Sequence, residues 1–151
     1  MPILNLEVDV GGRLVVDLYV AMTVAEAESM GDEDQPRPAV RQVRALVDTG
    51  AGRTIIGRAV LEQLRLMPVS AVTLHSATTG GDPVNAAVYA VELSLDGETL
   101  GLVAAEPEVL GAEDLSVLGA EALLGRDILG RGLLIYNGPR RQFTLVVEAL
   151  T

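Results

Sequence analysis

Apolar and polar residues alternate from Leu4 to Val10, and after the turn-permissive Gly11-Gly12 pair a β-branched run returns from Leu14 to Val24. This is the pattern of an N-terminal β-hairpin. The alternation then stops. From Ala25 to Pro38 the chain carries Glu26, Glu28, Asp32, Glu33 and Asp34 with one glycine and two prolines, which predicts an acidic surface loop over 25–38. Val40 to Val47 resumes an extended pattern and ends in Ala45-Leu46-Val47, a buried strand that delivers Asp48-Thr49-Gly50 at its end. Val60, Leu61, Leu64 and Leu66 stand at near-helical spacing before Pro68, so a short helix is expected there. Val69–Ala77 and Val84–Leu95 read as two strands of a long hairpin, its tip over 77–83 made of turn-forming residues. Asp96-Gly97 supplies a tight turn, Leu100–Ala104 a further strand, and a loop with Pro107 and several acids follows. Leu123 to Leu129 opens a second short helix. Leu133–Tyr136, the Asn137-Gly138 turn and Gln142–Glu148 form a last hairpin, with Phe143, Leu145 and Val147 on one face. No internal repeat is present.

Composition narrows the class. The 151 residues are 49% apolar and 21% charged, enough for one core and one domain over 1–151. Apolar runs are short, so no bilayer-crossing segment is expected. The first residues lack the basic and apolar pattern of a leader, which leads us to expect a soluble, cytoplasmic protein. The absence of cysteine removes disulfide frameworks, thiolate zinc sites and cysteine nucleophiles, and His75 is the one imidazole. A net charge of -10, with eleven scattered basic residues, argues against nucleic acid and in favour of a polypeptide partner. With one Phe, three Tyr and no Trp, the core must be built from Leu, Val, Ile and Ala.

Asp48-Thr49-Gly50-Ala51, preceded by three apolar residues and followed by Thr54-Ile55-Ile56, resembles the active-site strand and loop of retroviral-type aspartic proteases, the retropepsins. That family's second signature, two apolar residues and a glycine opening a short helix, is matched by Leu123-Leu124-Gly125 followed by Arg126-Asp127-Ile128-Leu129. Both occur in the right order, with the Gly80-Gly81 turn between them where a flap tip should fall. The resemblance implies a mainly β, closed-barrel-like acid-protease fold with one or two short helices. It implies an endopeptidase in which Asp48 is catalytic and Thr49, Gly50 and Ala51 form its loop. It further implies that Ile55, Gly80, Gly81 and Leu123 meet substrate, while Leu124, Gly125 and Arg126 are structural. No cofactor or metal is expected, and no membrane partner.

The chemistry requires two acids. A water must lose a proton as the amide carbonyl is polarised, and two adjacent carboxyl groups sharing one proton do both. No other Asp lies in an Asp-Thr-Gly or Asp-Ser-Gly context. A one-domain chain with one such loop therefore has to pair Asp48 with its equivalent in a homodimer. Family resemblance places the subunit contact at interleaved terminal strands, the C-terminal hairpin and residues near Ile3. Two further readings stay open: a non-cleaving peptide-binding or assembly module of the same fold, and a self-processing protease domain.

Other patterns carry less. Gly50-Ala51-Gly52-Arg53-Thr54 lacks the leading glycine and the lysine of a phosphate loop, and Ile55 stands at the third glycine of a dinucleotide fingerprint. Asp32-Glu33-Asp34 lacks the spacing of a calcium loop. His75, Asp127, Tyr89 and Tyr136 read as ordinary surface, helix-start and packing residues. Viral relatives carry acids shortly after the Ala, one of them pairing with the Arg of the second signature. Here Gly52 and Arg53 occupy those positions, so Arg126 needs another partner, and Arg53 in a cleft would favour acidic side chains in a substrate. A peptide-library profile is expected to show acidic residues enriched beside the cut; a profile without that preference removes the role of Arg53.

Overall fold

Alternation in the sequence becomes two sheets. The computed structural model describes residues 3–29, 40–75, 83–95, 98–99, 108–112, 115 and 118–148. Within them lie strands β1 (Ile3–Glu7), β2 (Val15–Ala21), β3 (Arg41–Val47), β4 (Ile55–Gly57), β5 (Ser70–His75), β6 (Pro83–Ala90), β7 (Glu92–Leu95), β8 (Glu98–Thr99), β9 (Glu108–Ala112), β10 (Ala122–Leu124), β11 (Gly132–Asn137) and β12 (Gln142–Val147). Three short helices accompany them, α1 (Val24–Ser29), α2 (Arg58–Gln63) and α3 (Arg126–Leu129). The large sheet has the order β5-β6-β9-β4-β10-β3-β2-β7-β8 and the small one β1-β12-β11. The architecture is mainly β, with the large sheet curled as a half-barrel. Among the described residues no helix is long and apolar enough to cross a membrane.

The core follows strand parity. On β2, Val16, Leu18 and Val20 are buried; Val16 and Leu18 stand opposite Ala45 and Val43 of β3, and Leu18 and Val20 opposite Leu95 and Leu93 of β7. On β12, Phe143, Leu145 and Val147 are buried, as the alternation predicts. Phe143 and Tyr89 are the aromatic residues of a cluster otherwise filled by Leu, Val, Ile, Ala and Met. Tyr136, expected to pack, is instead 57% exposed.

Three local expectations are corrected. The N-terminal turn forms, with Gly12 N–H donating to the Asp9 carbonyl at 3.0 Å, but β1 and β2 do not pair. β1 joins β12, with Leu4 opposite Leu145 and Leu6 opposite Phe143, so its inner face finds apolar partners in the other sheet. The acidic stretch begins as a helix. Thr23 caps α1, its Oγ1 accepting from the Glu26 amide at 3.1 Å and donating to the Glu26 carboxylate at 3.4 Å, a Thr-x-x-Glu start signal that the acidic composition masked. The rest of that stretch, 30–39, lies outside the described residues, as do the hairpin tip 76–82 and the strand expected over 100–104. The last hairpin closes with Asn137 opposite Gln142, so its connection is Gly138–Arg141 and not a two-residue turn. Arg141 there adopts φ 52°.

Asp9 joins the sheets. Its carboxylate accepts from the Arg13 amide at 2.8 Å, from Arg13 Nε at 3.1 Å and from Arg44 Nη2 on β3 at 3.1 Å, while its carbonyl accepts from Arg141 Nη2 at 2.8 Å. Arg13 also donates to the Leu118 carbonyl. The Arg13 amide first, and its guanidinium after it, hold the Asp9 carboxyl below the usual carboxylate range. Stability from a lowered acid is present above the unfolded value of about 4 and is lost as pH falls through the folded value. Urea denaturation is expected to find Asp9→Asn less stable than the wild type at neutral pH, with the gap closing in strong acid; a gap independent of pH contradicts this.

Candidate active site

β10 is inserted between two strands that are otherwise consecutive in this region of the chain. It runs parallel to β3, with Ala122, Leu123 and Leu124 opposite Ala45, Leu46 and Val47, and antiparallel to β4, with Leu123 opposite Ile55 and Ala122 opposite Ile56. Residues 48–54, connecting β3 to β4, must therefore pass around the end of β10, where Gly125 opens α3. Asp48 N–H donates to the Leu124 carbonyl at 3.0 Å, which continues the ladder by one step and fixes where Asp48 leaves it.

That crossing is tight. A Cβ on Gly125 would lie 2.5 Å from the Arg53 carbonyl carbon and 2.9 Å from Thr54 N, so only glycine fits. Thr54 is fully buried and its hydroxyl has two partners: it donates to Asp127 Oδ1 at 2.8 Å and accepts from Gly125 N–H at 3.1 Å. The Thr54 amide donates to Asp127 Oδ2 at 2.9 Å, and Ile128 N–H donates to Oδ1 at 2.9 Å. Asp127, read from sequence as a helix-start residue, thus also binds the end of the β3–β4 connection, 73 positions away.

The loop itself is held from both sides. Gly50 N–H donates to Asp48 Oδ1 at 2.9 Å and Ala51 N–H to the Asp48 carbonyl at 3.2 Å. A Cβ on Gly50 would come within 3.1 Å of Asp48 Oδ1, so the backbone approaches the carboxylate closely there. Arg126 finds its partner in a peptide group: Nη1 donates to the Thr49 carbonyl at 2.8 Å, and the Arg126 amide donates to the Ala51 carbonyl at 2.9 Å. Asp48 is half-buried; Thr49 and Gly50 are exposed.

Strand parity sorts the remaining candidates. Ala45, Ile56, Ala122 and Leu124 belong to the core cluster, whereas Leu46, Leu123 and Ile55 alternate to the other face and form one row across β3, β10 and β4. Ile55 and Leu123 are thereby brought together with the start of the Asp48 loop. Ala51 and Arg53 are half-buried. Gly80 and Gly81 lie outside the described residues. Thr54 is the site residue whose role sequence reasoning missed; it stood in the quoted motif, but its partners are distant in the chain. Among the described residues no group of three His, Cys, Asp or Glu side chains could hold a metal ion.

An Asp-Thr-Gly loop wrapped around an inserted strand, on a half-barrel of this order, defines a retropepsin-like protein. The family described as "gag-polyprotein putative aspartyl protease" matches residues 39–131, more than half of the chain, and the chain belongs to that family. Its fold resembles the crystal structure of a retropepsin-like aspartic protease from Rickettsia conorii, with a TM-score of 0.61 and 14% identity, over 95% of this chain and 89% of that one. No curated protein matches the sequence.

Thr54→Val keeps shape but strands the Gly125 amide without its acceptor and removes one of the two donors to Asp127 Oδ1, leaving the Ile128 amide. A loss of about 1–3 kcal/mol is expected in equilibrium urea denaturation, and Gly125→Ala should cost at least as much because backbone must move. A Thr54→Val protein of wild-type stability contradicts the assigned network.

Proposed function

We propose that this chain is an aspartic endopeptidase that acts as a homodimer, each subunit contributing Asp48 to one shared site. The observation that carries the reading is the Asp48 carboxylate, aimed by the Gly50 amide on a loop of family-matching sequence that supplies one such acid per chain. In the proposed reaction the ionised member of the pair takes a proton from water. The resulting oxygen attacks the scissile carbonyl carbon while the protonated member gives its proton to the carbonyl oxygen. Collapse of the tetrahedral diol breaks the C–N bond, with a proton passing to the departing amine, and the pair is left sharing one proton again.

Two features support the dimer. The loop provides half of a two-acid site. The outer face of the small sheet carries Ile3, Leu133 and Ile135, which are 60%, 55% and 51% exposed, with Ile3 and Leu133 both opposite Val146; covering that row is favourable. β1 is already paired with β12 of its own chain, so subunit contact through this sheet would use its face or its free edges. For the substrate, we propose an extended polypeptide lying over the Leu46, Leu123 and Ile55 row, with the β5–β6 hairpin serving as flap and Gly80 and Gly81 at its tip.

Purified protein incubated with an unstructured polypeptide from acidic to neutral pH is expected to cleave it. Asp48→Asn should lower the rate by about 10²–10⁴-fold, with sedimentation reporting a dimer for both proteins. Cleavage unchanged in the variant overturns the catalytic assignment. A stable dimer that cleaves at no pH favours the binding-module reading instead.

A further inference from the structure

The peptide unit between Thr49 and Gly50 has a bond at each end. Its carbonyl oxygen accepts from Arg126 Nη1 at 2.8 Å, and its N–H donates to Asp48 Oδ1 at 2.9 Å. A peptide group is planar, with its C=O and N–H antiparallel. Fixing the direction of the carbonyl therefore fixes the direction in which the amide points. A cation donating to the carbonyl also polarises the amide, and hydrogen bonds in such a chain strengthen one another. The Arg126 amide holds the Ala51 carbonyl as well, at 2.9 Å, so one residue grips the loop on both sides of Gly50.

We propose that Arg126 is a positioning residue for Asp48, acting through the Thr49–Gly50 peptide plane; the proposal rests on the aspartic-peptidase reading of the site. Its acceptor is a carbonyl, and among the described residues no acid forms an ion pair with Arg126. A carbonyl does not titrate in the working range of an acid protease, so this grip persists at pH values where a carboxylate partner would be protonated and let go. The guanidinium runs beside Gly52, where a Cβ would stand in ordinary contact at 3.6 Å from Nη2. A glycine there leaves the guanidinium to the peptide plane.

The relay makes a prediction that scaffolding alone does not. Without the guanidinium the Gly50 amide is a weaker and less well-aimed donor, so Asp48 is held less firmly in its reactive direction, and the loss should fall on turnover more than on substrate binding. Arg126→Gln retains the backbone bond to Ala51 and much of the side-chain volume, and Arg126→Lys retains the charge. The glutamine variant is expected to lose kcat by about 10²-fold, the scale of a misaligned catalytic group, with KM little changed, and the lysine variant to recover part of that loss.

An independent readout needs no substrate. In the wild type the Gly50 amide should be protected from hydrogen exchange, because its proton sits on the Asp48 carboxylate; in Arg126→Gln this protection should shrink, and in Arg126→Lys it should partly return. A Gly50 amide that exchanges identically in all three proteins overturns the proposal, as does wild-type kcat in a folded Arg126→Gln. Wild-type protein that cleaves nothing, yet shows the Arg126-dependent Gly50 response, overturns the peptidase reading and leaves the positioning role standing.

Discussion

The Thr54 hydroxyl is the point on which the site depends. It is one group, fully buried, that donates to Asp127 and accepts from the Gly125 amide, and so it binds the end of the Asp48 loop to the start of α3. A buried hydroxyl with both roles filled is stable, and each of its partners, left alone, would be costly. Because β10 is pinched between β3 and β4, this bond also sets how far β4 sits from the strand that bears Asp48. The geometry of the carboxylate is thus decided by a crossing of three chain segments and not by the Asp-Thr-Gly tripeptide alone.

From that crossing the two faces of the sheet divide the work. Ala45, Ile56, Ala122 and Leu124 point into the core and hold β3, β4 and β10 together. Leu46, Leu123 and Ile55, one residue out of phase, form the floor from which the loop rises. A one-residue change of register would exchange these sets between the core and the opposite face. The three buried residues of β10 thereby specify both stability and the identity of the proposed cleft.

Much of this was legible from residue pattern. Phe143, Leu145 and Val147 alternate cleanly because one face of β12 is buried, whereas the helix expected from Leu123 begins only at Arg126, Ala122–Leu124 being strand β10. The insertion of β10 between β3 and β4 is not a local property: Ala122–Leu124 and Ala45–Val47 are separated by half of the chain, and nothing within either segment states that they pair. The same holds for Asp127, whose position in a helix start is visible while its bonds to Thr54 are not. β1 misled for a related reason, since a good turn at Gly11-Gly12 says that the chain reverses but not that the flanking strands share a sheet. At α1, local signal and composition competed, and the cap at Thr23 prevailed over the acidic character of the segment beyond it.

The central claim is that catalysis belongs to two chains at once. Mixing wild-type and Asp48→Asn subunits under conditions that allow exchange, at constant total protein, tests it directly, with cleavage rate recorded against the wild-type fraction. Random pairing into twofold dimers predicts that the rate falls as the square of that fraction, because a mixed dimer holds one carboxyl group and not two. A rate that falls in simple proportion to the wild-type fraction would mean that each chain works alone, and would contradict the account.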